Sequence, residues 1–368
     1  MHRSADQDLV ERLLPTEFSS LPGWEADDHL AALDAFCLTA KQMLKLPYPS
    51  SPLNFEGQTL VKCAQHALSL NSPSPASAKS FFENWFLPHR FEPAKSSEGF
   101  VTGYFEPELQ ASLQPTDQFS VPLHRRPNDL IDLDDHNRPP EIDPSFLYGR
   151  EHNGKVSEYF DRAAIQAGAL KGRGLELVWL NDKTDAFFVH VQGSARLALP
   201  DNSTMRVGFA AKSGHPYSSL GKILCDQKGI PVEEMTADRL ADWMRNHPEK
   251  IDQLMGQNRS YIFFQTREDA KDVTTGPVGA ADVPLTAGRS LAIDPTIHSY
   301  GLPIWVSAAD DLLGEIKSFS RLMVAQDTGS AIKGEQRGDI FVGSGSEAGF
   351  CAGKIRSPAS FTILVPSA

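Results

Sequence analysis

A mainly β fold carrying helices at its N-terminus is what this sequence predicts, and three observations carry the prediction. From Gly99 onward, short apolar runs of strand composition alternate with Gly, Pro and Asn turns. Before Gly99, apolar residues recur at helical spacing in three stretches. Near the C-terminus two strand-like runs, 322–325 and 340–342, flank a polar, glycine-rich stretch. The 368 residues, 40% of them hydrophobic, suffice for a sizeable core and suggest two domains.

The elements follow in order. Leu30, Leu33, Cys37, Ala40, Met43 and Leu44 predict an amphipathic helix over 28–45, which PYPSSP at 47–52 stops. A second helix is expected over 58–70, and Pro73 and Pro75 separate it from a third over 76–86. The aromatic residues of the third, Phe81, Phe82, Trp85 and Phe86, read as core packing rather than as a sugar platform. Residues 100–105 read as a strand, and the proline- and acid-rich stretch 113–145 as a long surface excursion. A short helix over 161–168 ends on Gly168. Residues 185–197 read as a strand, with Phe187, Val189 and Val191 on one face and Phe188, His190 and Gln192 on the other. A further strand is expected over 205–210. Thr236 caps a helix that runs through Arg245, and Asn246-His-Pro-Glu opens another with proline in its first turn. Strands resume at 261–265, and 285–368 is again mainly β. Asp310, Asp311 and Glu315 make the segment 301–319 acidic.

The formal net charge of −12 argues against a nucleic-acid binder and against electrostatic attachment to anionic lipid. No apolar run approaches the roughly 20 residues that span a bilayer. The first residues lack the apolar centre of a signal peptide, so either the protein is cytoplasmic or Met1 replaces a removed leader. Cys37, Cys63, Cys225 and Cys351 show no metal spacing, and Cys37 with Cys63 can be read equally as a disulfide or as buried thiols. With no His/Cys/Asp cluster and no nucleotide-binding glycine motif, neither a metal nor a cofactor is predicted.

Chemistry is expected around Asp327 and Asp339. Asp327-Thr328-Gly329 follows one strand-like run, and Gly338-Asp339 precedes the other. Carboxylates so placed are rigidly held yet open to a ligand, although two Asx turns would look the same. Asp-Thr-Gly is also the aspartic-protease tripeptide, but the second copy that a pseudo-twofold partner requires is missing.

The run Asp327-Thr-Gly-Ser-Ala-Ile-Lys-Gly followed by Gly338-Asp-Ile-Phe-Val-Gly resembles the three-aspartate domain of bacterial cell-wall enzymes. The third aspartate finds its match in Ser290-Leu-Ala-Ile-Asp294-Pro, with Gly301 and Val306 downstream. Upstream, Val101-Thr-Gly-Tyr-Phe-Glu-Pro107, the stretch 169–180 and the stretch 185–196 are similar to the membrane-bound lytic murein transglycosylase A family. The resemblance runs in one order from about Val101 to the C-terminus; the first hundred residues add little to it.

That resemblance implies a double-psi β-barrel domain with a smaller β domain inserted in it and the N-terminal helices packed on the barrel. The barrel domain would comprise 1–107 and 258–368, and the insert 108–257 would form the other wall of a glycan groove. The strands near Tyr104 and after Arg259 would then share the barrel. It implies a periplasmic location, associated with the outer membrane, and peptidoglycan glycan strands as partner. The activity implied is non-hydrolytic cleavage between N-acetylmuramic acid and N-acetylglucosamine, giving a 1,6-anhydro end. One carboxyl group suffices, because the attacking hydroxyl belongs to the substrate and only a hydrolase needs a second carboxylate. Asp339 matches the family's catalytic acid/base, and its apolar neighbours Ile340 and Phe341 favour the protonated form. Asp327, Asp294 and Lys333 are expected in support. Thr102, Tyr104, Gln192, Ser194, Tyr217, Ser218 and Arg289 are candidates for sugar contacts, Glu106 is a possible groove carboxylate, and His190 reads as a packed or exposed side chain. The competing readings are a wall protein that binds glycan without turnover and an aspartic hydrolase.

Overall fold

A computed structural model describes residues 9, 11–48, 57–92, 99–267, 275–309, 312–313 and 318–367. Asp310, Asp311 and Glu315 lie outside the described residues. The chain divides into two compact units: Met1–Phe105 with Thr274–Gly343 and Glu347–Ala368, and Glu106–Val273 with Ser344–Ser346.

Strand β1 (Leu13–Pro15) leads into three helices, α1 (His29–Lys45), α2 (Gly57–Ser69) and α3 (Pro75–Trp85). Asp28 caps α1 by accepting from Ala31 N, and the helix buries Ala32, Leu33, Ala35, Phe36, Ala40 and Met43; of the predicted stripe Leu33, Ala40 and Met43 are buried, Leu30 and Cys37 are half-buried and Leu44 is exposed. Ser74 and Ser77 form a reciprocal cap on α3, with Pro75 in the first turn where no donor is lost. Its aromatic residues are core, as expected: Phe81, Phe82 and Phe86 surround Phe36 with ring centroids 5.6, 6.2 and 5.9 Å away. β2 (Phe86–Phe91) and β3 (Phe100–Glu106) complete the first pass.

The second unit holds β4 (Glu108–Ser112), β5 (Val121–His124), β6 (Leu130–Asp132), β7 (Tyr148–His152), β8 (Lys155–Ser157), α4 (Arg162–Gln166) and β9 (Glu176–Leu180). It continues with α5 (Lys183–Gln192), β10 (Ser194–Ala198), β11 (Thr204–Lys212), α6 (Leu220–Lys228), α7 (Ala237–Asn246), α8 (Ile251–Gly256) and β12 (Ile262–Arg267). Six of its strands form one sheet in the order β12-β11-β10-β4-β9-β5. An isolated parallel bridge from Arg125 to Phe264 brings its two edges together into a closed barrel. β6, β7 and β8 form a separate three-stranded sheet.

Four expectations need correction here. Residues 183–192 are helical rather than extended: Asp182 caps α5 by accepting from Asp185 N, and Gly193, at φ 80°, ends it in a left-handed conformation that glycine adopts without strain. Phe187 and His190 are both buried, a spacing of three that the apparent alternation conceals, and only Ser194–Ala198 remains a strand. The stretch 113–145 is not merely a surface excursion, since it supplies β5 and β6 and buries Leu123, Leu130, Leu133 and Ile142. Helix α8 starts at Ile251, past Pro248. Finally, the strand expected at 261–265 does not join β3 in one barrel. β12 pairs antiparallel with β11, so the second unit extends to Val273 instead of ending at 257.

The chain returns with β13 (Ser290–Ile293), β14 (Pro303–Ala308), β15 (Phe319–Thr328), β16 (Arg337–Ser344), a helix α9 (Gly345–Ala352) that sequence patterning did not reveal, and β17 (Arg356–Pro366). The eight-stranded sheet runs β1-β2-β17-β14-β15-β13-β16-β3, and β17 also pairs with β3. The six strands β17, β14, β15, β13, β16 and β3 therefore close a ring, with β2 and β1 added outside. Closure leaves those six strands without an open edge and fixes their register.

The N-terminal helices are fastened to this ring by polar contacts as well as by carbon. β13 and β15 run parallel with a bulge that makes Gln326 the extra residue. Gln326 is fully buried and donates to Ala35 O (2.8 Å) and Thr39 Oγ1 (2.6 Å) of α1, while its own oxygen accepts from Ser290 Oγ. Tyr48 OH donates to Ala281 O at 2.6 Å. All four cysteines are free thiols.

Candidate active site

β13 is buried along its whole length, and a small residue, Ala292, stands near its end. Ala292 is in register with Asp327 of β15 on one side and with Asp339 of β16 on the other. Side chains in register across neighbouring strands share a face, and strands lie about 4.8 Å apart, so the two aspartates are on the order of 10 Å apart along the sheet with only a methyl group between. The bulge at Gln326 is what sets Asp327, rather than its neighbour, on this face.

β3 supplies the next row. Thr102 and Tyr104, two residues apart, share one face of this strand. Thr102 Oγ1 donates to Asp339 Oδ1 at 2.6 Å, and Tyr104 OH donates to Asp327 Oδ2 at 2.7 Å. Gly103 lies between them because a Cβ there would come within 2.8 Å of Ile355 and 3.1 Å of the Ala352 backbone. Arg337 Nη2 donates to Thr102 Oγ1 at 2.7 Å, so Arg337, Thr102 and Asp339 form a chain of hydrogen bonds. Ala280 N donates to Asp327 Oδ1 at 2.9 Å, and Phe341 packs on Tyr104 with ring centroids 5.5 Å apart.

The environment treats the three aspartates differently. Both Asp327 and Asp339 are half-buried, which leaves them open to a ligand. Burial pushes the Asp339 carboxyl up to about 6, although the Thr102 hydroxyl and the Arg337 guanidinium pull it down; the charge of Asp327 adds to the rise. Burial also raises Asp327, against hydrogen bonds from Tyr104 and Ala280. Asp294, just beyond β13, goes the other way. Burial alone would raise it, but Gly334 N (3.0 Å), Thr296 Oγ1 (2.7 Å) and Thr296 N (3.1 Å) donate to it, Lys333 Nζ lies 3.4 Å away, and its carboxyl falls below the ordinary value. Asp294 is thus a fixed anion that ties the loop 329–336 to the end of β13. Asp339 is a carboxyl group that still holds a proton near pH 6.

The sequence-predicted residues divide accordingly. Asp339, Asp327, Thr102 and Tyr104 are brought together, with Asp294 and Lys333 paired beside them. Asp327 is the last residue but one of β15 and Asp339 the third of β16, so both stand at the strand ends where the sequence put them. Arg289 is not a sugar ligand. Its guanidinium is buried, forked to both Asp27 oxygens at 2.9 and 3.0 Å, and bonded to Leu322 O. Gln192 (last turn of α5), Ser194 (buried, opening β10), exposed Tyr217 and Ser218, whose N–H donates to Asn258, all belong to the second unit. Glu106 is no groove carboxylate: it is fully buried and held by Arg206 at 2.7 and 2.9 Å. His190 is a buried core histidine. Ala280 N–H, the spacer Ala292 and the hydrogen bond from Arg337 to Thr102 were not foreseen. An arginine two residues before the acid was a usable signal, whereas the other two depend on register and loop course. Among the described residues no group of three or more His, Cys, Asp or Glu side chains is placed to hold a metal ion.

Comparison with known proteins gives two family matches, the MltA specific insert domain over residues 100–265 and the 3D domain over residues 289–365. The membrane-bound lytic murein transglycosylase A of Escherichia coli K12 is 34% identical over 260 residues, covering 68% of this chain and 61% of that protein. The Vibrio cholerae protein of that name is 30% identical over 267 residues, 70% of this chain and 63% of its own length. The chain thus spans about three fifths of the curated relatives it matches. Among solved structures, a membrane-bound lytic murein transglycosylase from Agrobacterium tumefaciens superposes with a TM-score of 0.89 at 41% identity, covering 96% of this chain and 97% of that one. The Escherichia coli MltA with bound chitohexaose superposes with a TM-score of 0.64 at 26% identity, covering 91% and 90%.

Proposed function

The chain belongs to the membrane-bound lytic murein transglycosylase A family, and from there we propose that it cleaves the β-1,4 bond between N-acetylmuramic acid and N-acetylglucosamine of peptidoglycan without water. The observation that carries the reading is the half-buried Asp339, still protonated near pH 6 and hydrogen-bonded at Oδ1 by Thr102. With Oδ1 so engaged, the transferable proton belongs on Oδ2. Asp339 gives that proton to the bridging oxygen as the bond from C1 to that oxygen breaks. The resulting carboxylate then takes the proton of the muramic 6-hydroxyl while O6 bonds to C1. The 1,6-anhydro ring forms, and Asp339 ends protonated as it began, so one carboxyl group serves both transfers. The hydrogen-bond chain from Arg337 through Thr102 strengthens as Asp339 becomes an anion, and so stabilises the charge that develops. Asp327, in this reading, keeps Tyr104 and the loop at Ala280 in place. The attacking hydroxyl is part of the substrate, which supplies an effective molarity on the order of 10⁵ M or more.

In the same reading the ring of six strands is a double-psi barrel; its parallel, adjacent β13 and β15 between antiparallel neighbours support this. The relatives are named membrane-bound and one neighbour holds a chito-oligosaccharide, which supports work on glycan strands in the periplasm. Mass analysis of a muropeptide digest is the test. Anhydro ends, one water lighter than reducing ends, are the expected products; reducing ends would make the protein a hydrolase, and an uncut sacculus a binding module.

A further inference from the structure

A cavity of about 230 Å³ opens inside the second unit, far in sequence from the aspartates. Part of its wall is carbon, from Ile165, Ala186, Phe187 and Met255. The rest is polar, and its centre is Arg162, which is only 2% exposed. The guanidinium donates through Nε and Nη2 to Ser260 O (3.1 and 2.7 Å) and through Nε to Asn258 O (3.1 Å). It lies 5.1 Å from the Tyr261 ring centre and 5.5 Å from that of Phe187. Every one of these partners is neutral. Among the described residues no carboxylate pairs with Arg162. The one acid in the lining, Asp252, is engaged by Lys183 at 2.7 and 2.8 Å.

An uncompensated buried cation is costly, and neutral donors would hold two carbonyl groups without that cost. The two histidines in the wall do not supply the missing anion. His190 Nδ1 accepts from Ile262 N at 3.2 Å, which puts its proton on Nε2, and His124 is joined to Tyr261 OH at 2.7 Å. His190 Nδ1 also lies 3.4 Å from Arg162 Nη2, so the ring meets the guanidinium as a neutral acceptor. The lining thus carries one charge in excess, of positive sign, against a carbon wall.

We propose that this cavity binds a single carboxylate on a short apolar stem, with the acid oxygens on the Arg162 guanidinium and the stem against Ile165, Phe187 and Met255. At about 30 Å³ for each water-sized group, the volume holds on the order of eight such groups and accepts an acid of roughly five to nine bonded heavy atoms. Two sources offer this chemistry: a free short-chain acid, or the C-terminal residue of a peptide. The second would link the cavity to the murein reading, since murein carries peptides; the first stands without it.

The test is done on the full chain with sodium propionate, N-acetyl-D-alanine, and the amide of each as neutral control, by thermal denaturation and by the histidine ring resonances in NMR. Both acids should raise the melting temperature and shift the His190 signals with saturation, and both amides should do neither. Tighter binding of N-acetyl-D-alanine assigns a peptide end, and tighter binding of propionate a free acid. Arg162→Gln should abolish the effect, but it also loosens the 258–260 backbone, so Val121→Phe serves as the second variant. Val121 lines the cavity on β5, and the larger ring should fill it and weaken binding by at least about tenfold while the fold persists. No saturable shift, an equal response to acid and amide, or undiminished binding in Val121→Phe would overturn the proposal. Glycan cleavage is not read in this assay, so its failure leaves the transglycosylase reading intact, and the converse holds too.

Discussion

Asp327 and Asp339 stand in register with the same residue, Ala292, one on each side of β13. The methyl group of Ala292 is all that the sheet puts between two carboxyl groups whose pKa values are both raised. A row of this kind follows from strand order, and it sets the expectations that follow.

Ala292→Leu places a branched side chain in that row. Turnover should fall by at least about tenfold, and because Ala292 is buried the larger side chain should also cost stability, by the roughly 1–3 kcal/mol usual for overpacking. Steady-state kinetics beside a denaturant titration separates the two effects. Unchanged turnover would mean that substrate does not approach between the aspartates.

The pH dependence has a definite sign. Asp339 titrates near 6 when folded against 3.8 ordinarily, so the native state binds the extra proton between those values. Native stability therefore declines as pH rises from about 4 to 6, by up to about 3 kcal/mol for a shift of two units. Asp339→Asn cannot ionise and should escape this decline, gaining on the wild type across that window in chemical denaturation. Turnover needs the protonated acid, so the wild-type rate should fall above about pH 6, near the value its surroundings impose. A rate that climbs steadily from pH 5 to 8 would contradict this.

Thr102→Val removes the hydroxyl that donates to Asp339 and receives from Arg337. A hydrogen bond to a charged group is worth about 1.5–3 kcal/mol, so the alkaline limb of the rate profile should move up by about one to two units. The maximal rate should fall as well, since the carboxylate loses its donor. A lower rate with an unmoved limb would reduce Thr102 to packing.

Arg289 and Asp27 join the segment before α1 to β15 through a buried fork. Asp27→Ala leaves the guanidinium buried and unpaired and should cost about 3–5 kcal/mol. Because this pair supports the fold, KM should stay within a factor of about two at temperatures where the variant remains folded. A raised KM at full stability would restore Arg289 to the substrate.

How much of this was legible follows from the physics of each element. The caps at Asp28, Ser74 and Thr236 are local signals, and the three helices they open lie within a residue or two of the expected bounds. Helix α5 was misread because five apolar residues among ten satisfy a period of two as readily as 3.6; the capping pair Asp182 and Gly193 was the better signal. The three aspartates were legible from their motifs, and the apolar run after Asp339 foretold its raised pKa. Which residues meet them was not, because the Thr102 contact joins positions 237 residues apart and the pairing of β12 with β11 is decided by closure of a sheet. Arg289 reads as a sugar contact because the sequence does not reveal that Asp27, 262 residues away, lies beside it.

In the proposed reaction Asp339 alone carries both proton transfers. Asp339→Asn keeps the shape and an acceptor for Thr102 but removes the transferable proton. Turnover and glycan affinity should be measured together for Asp339→Asn and Asp327→Asn. Asp339→Asn should bind glycan normally and lose turnover at or beyond the upper end of the roughly 10²–10⁴-fold worth of general acid–base catalysis, with a milder loss for Asp327→Asn. An Asp339→Asn enzyme that keeps more than about a tenth of wild-type turnover, beside an inactive Asp327→Asn, would place the acid on the other aspartate and contradict the account.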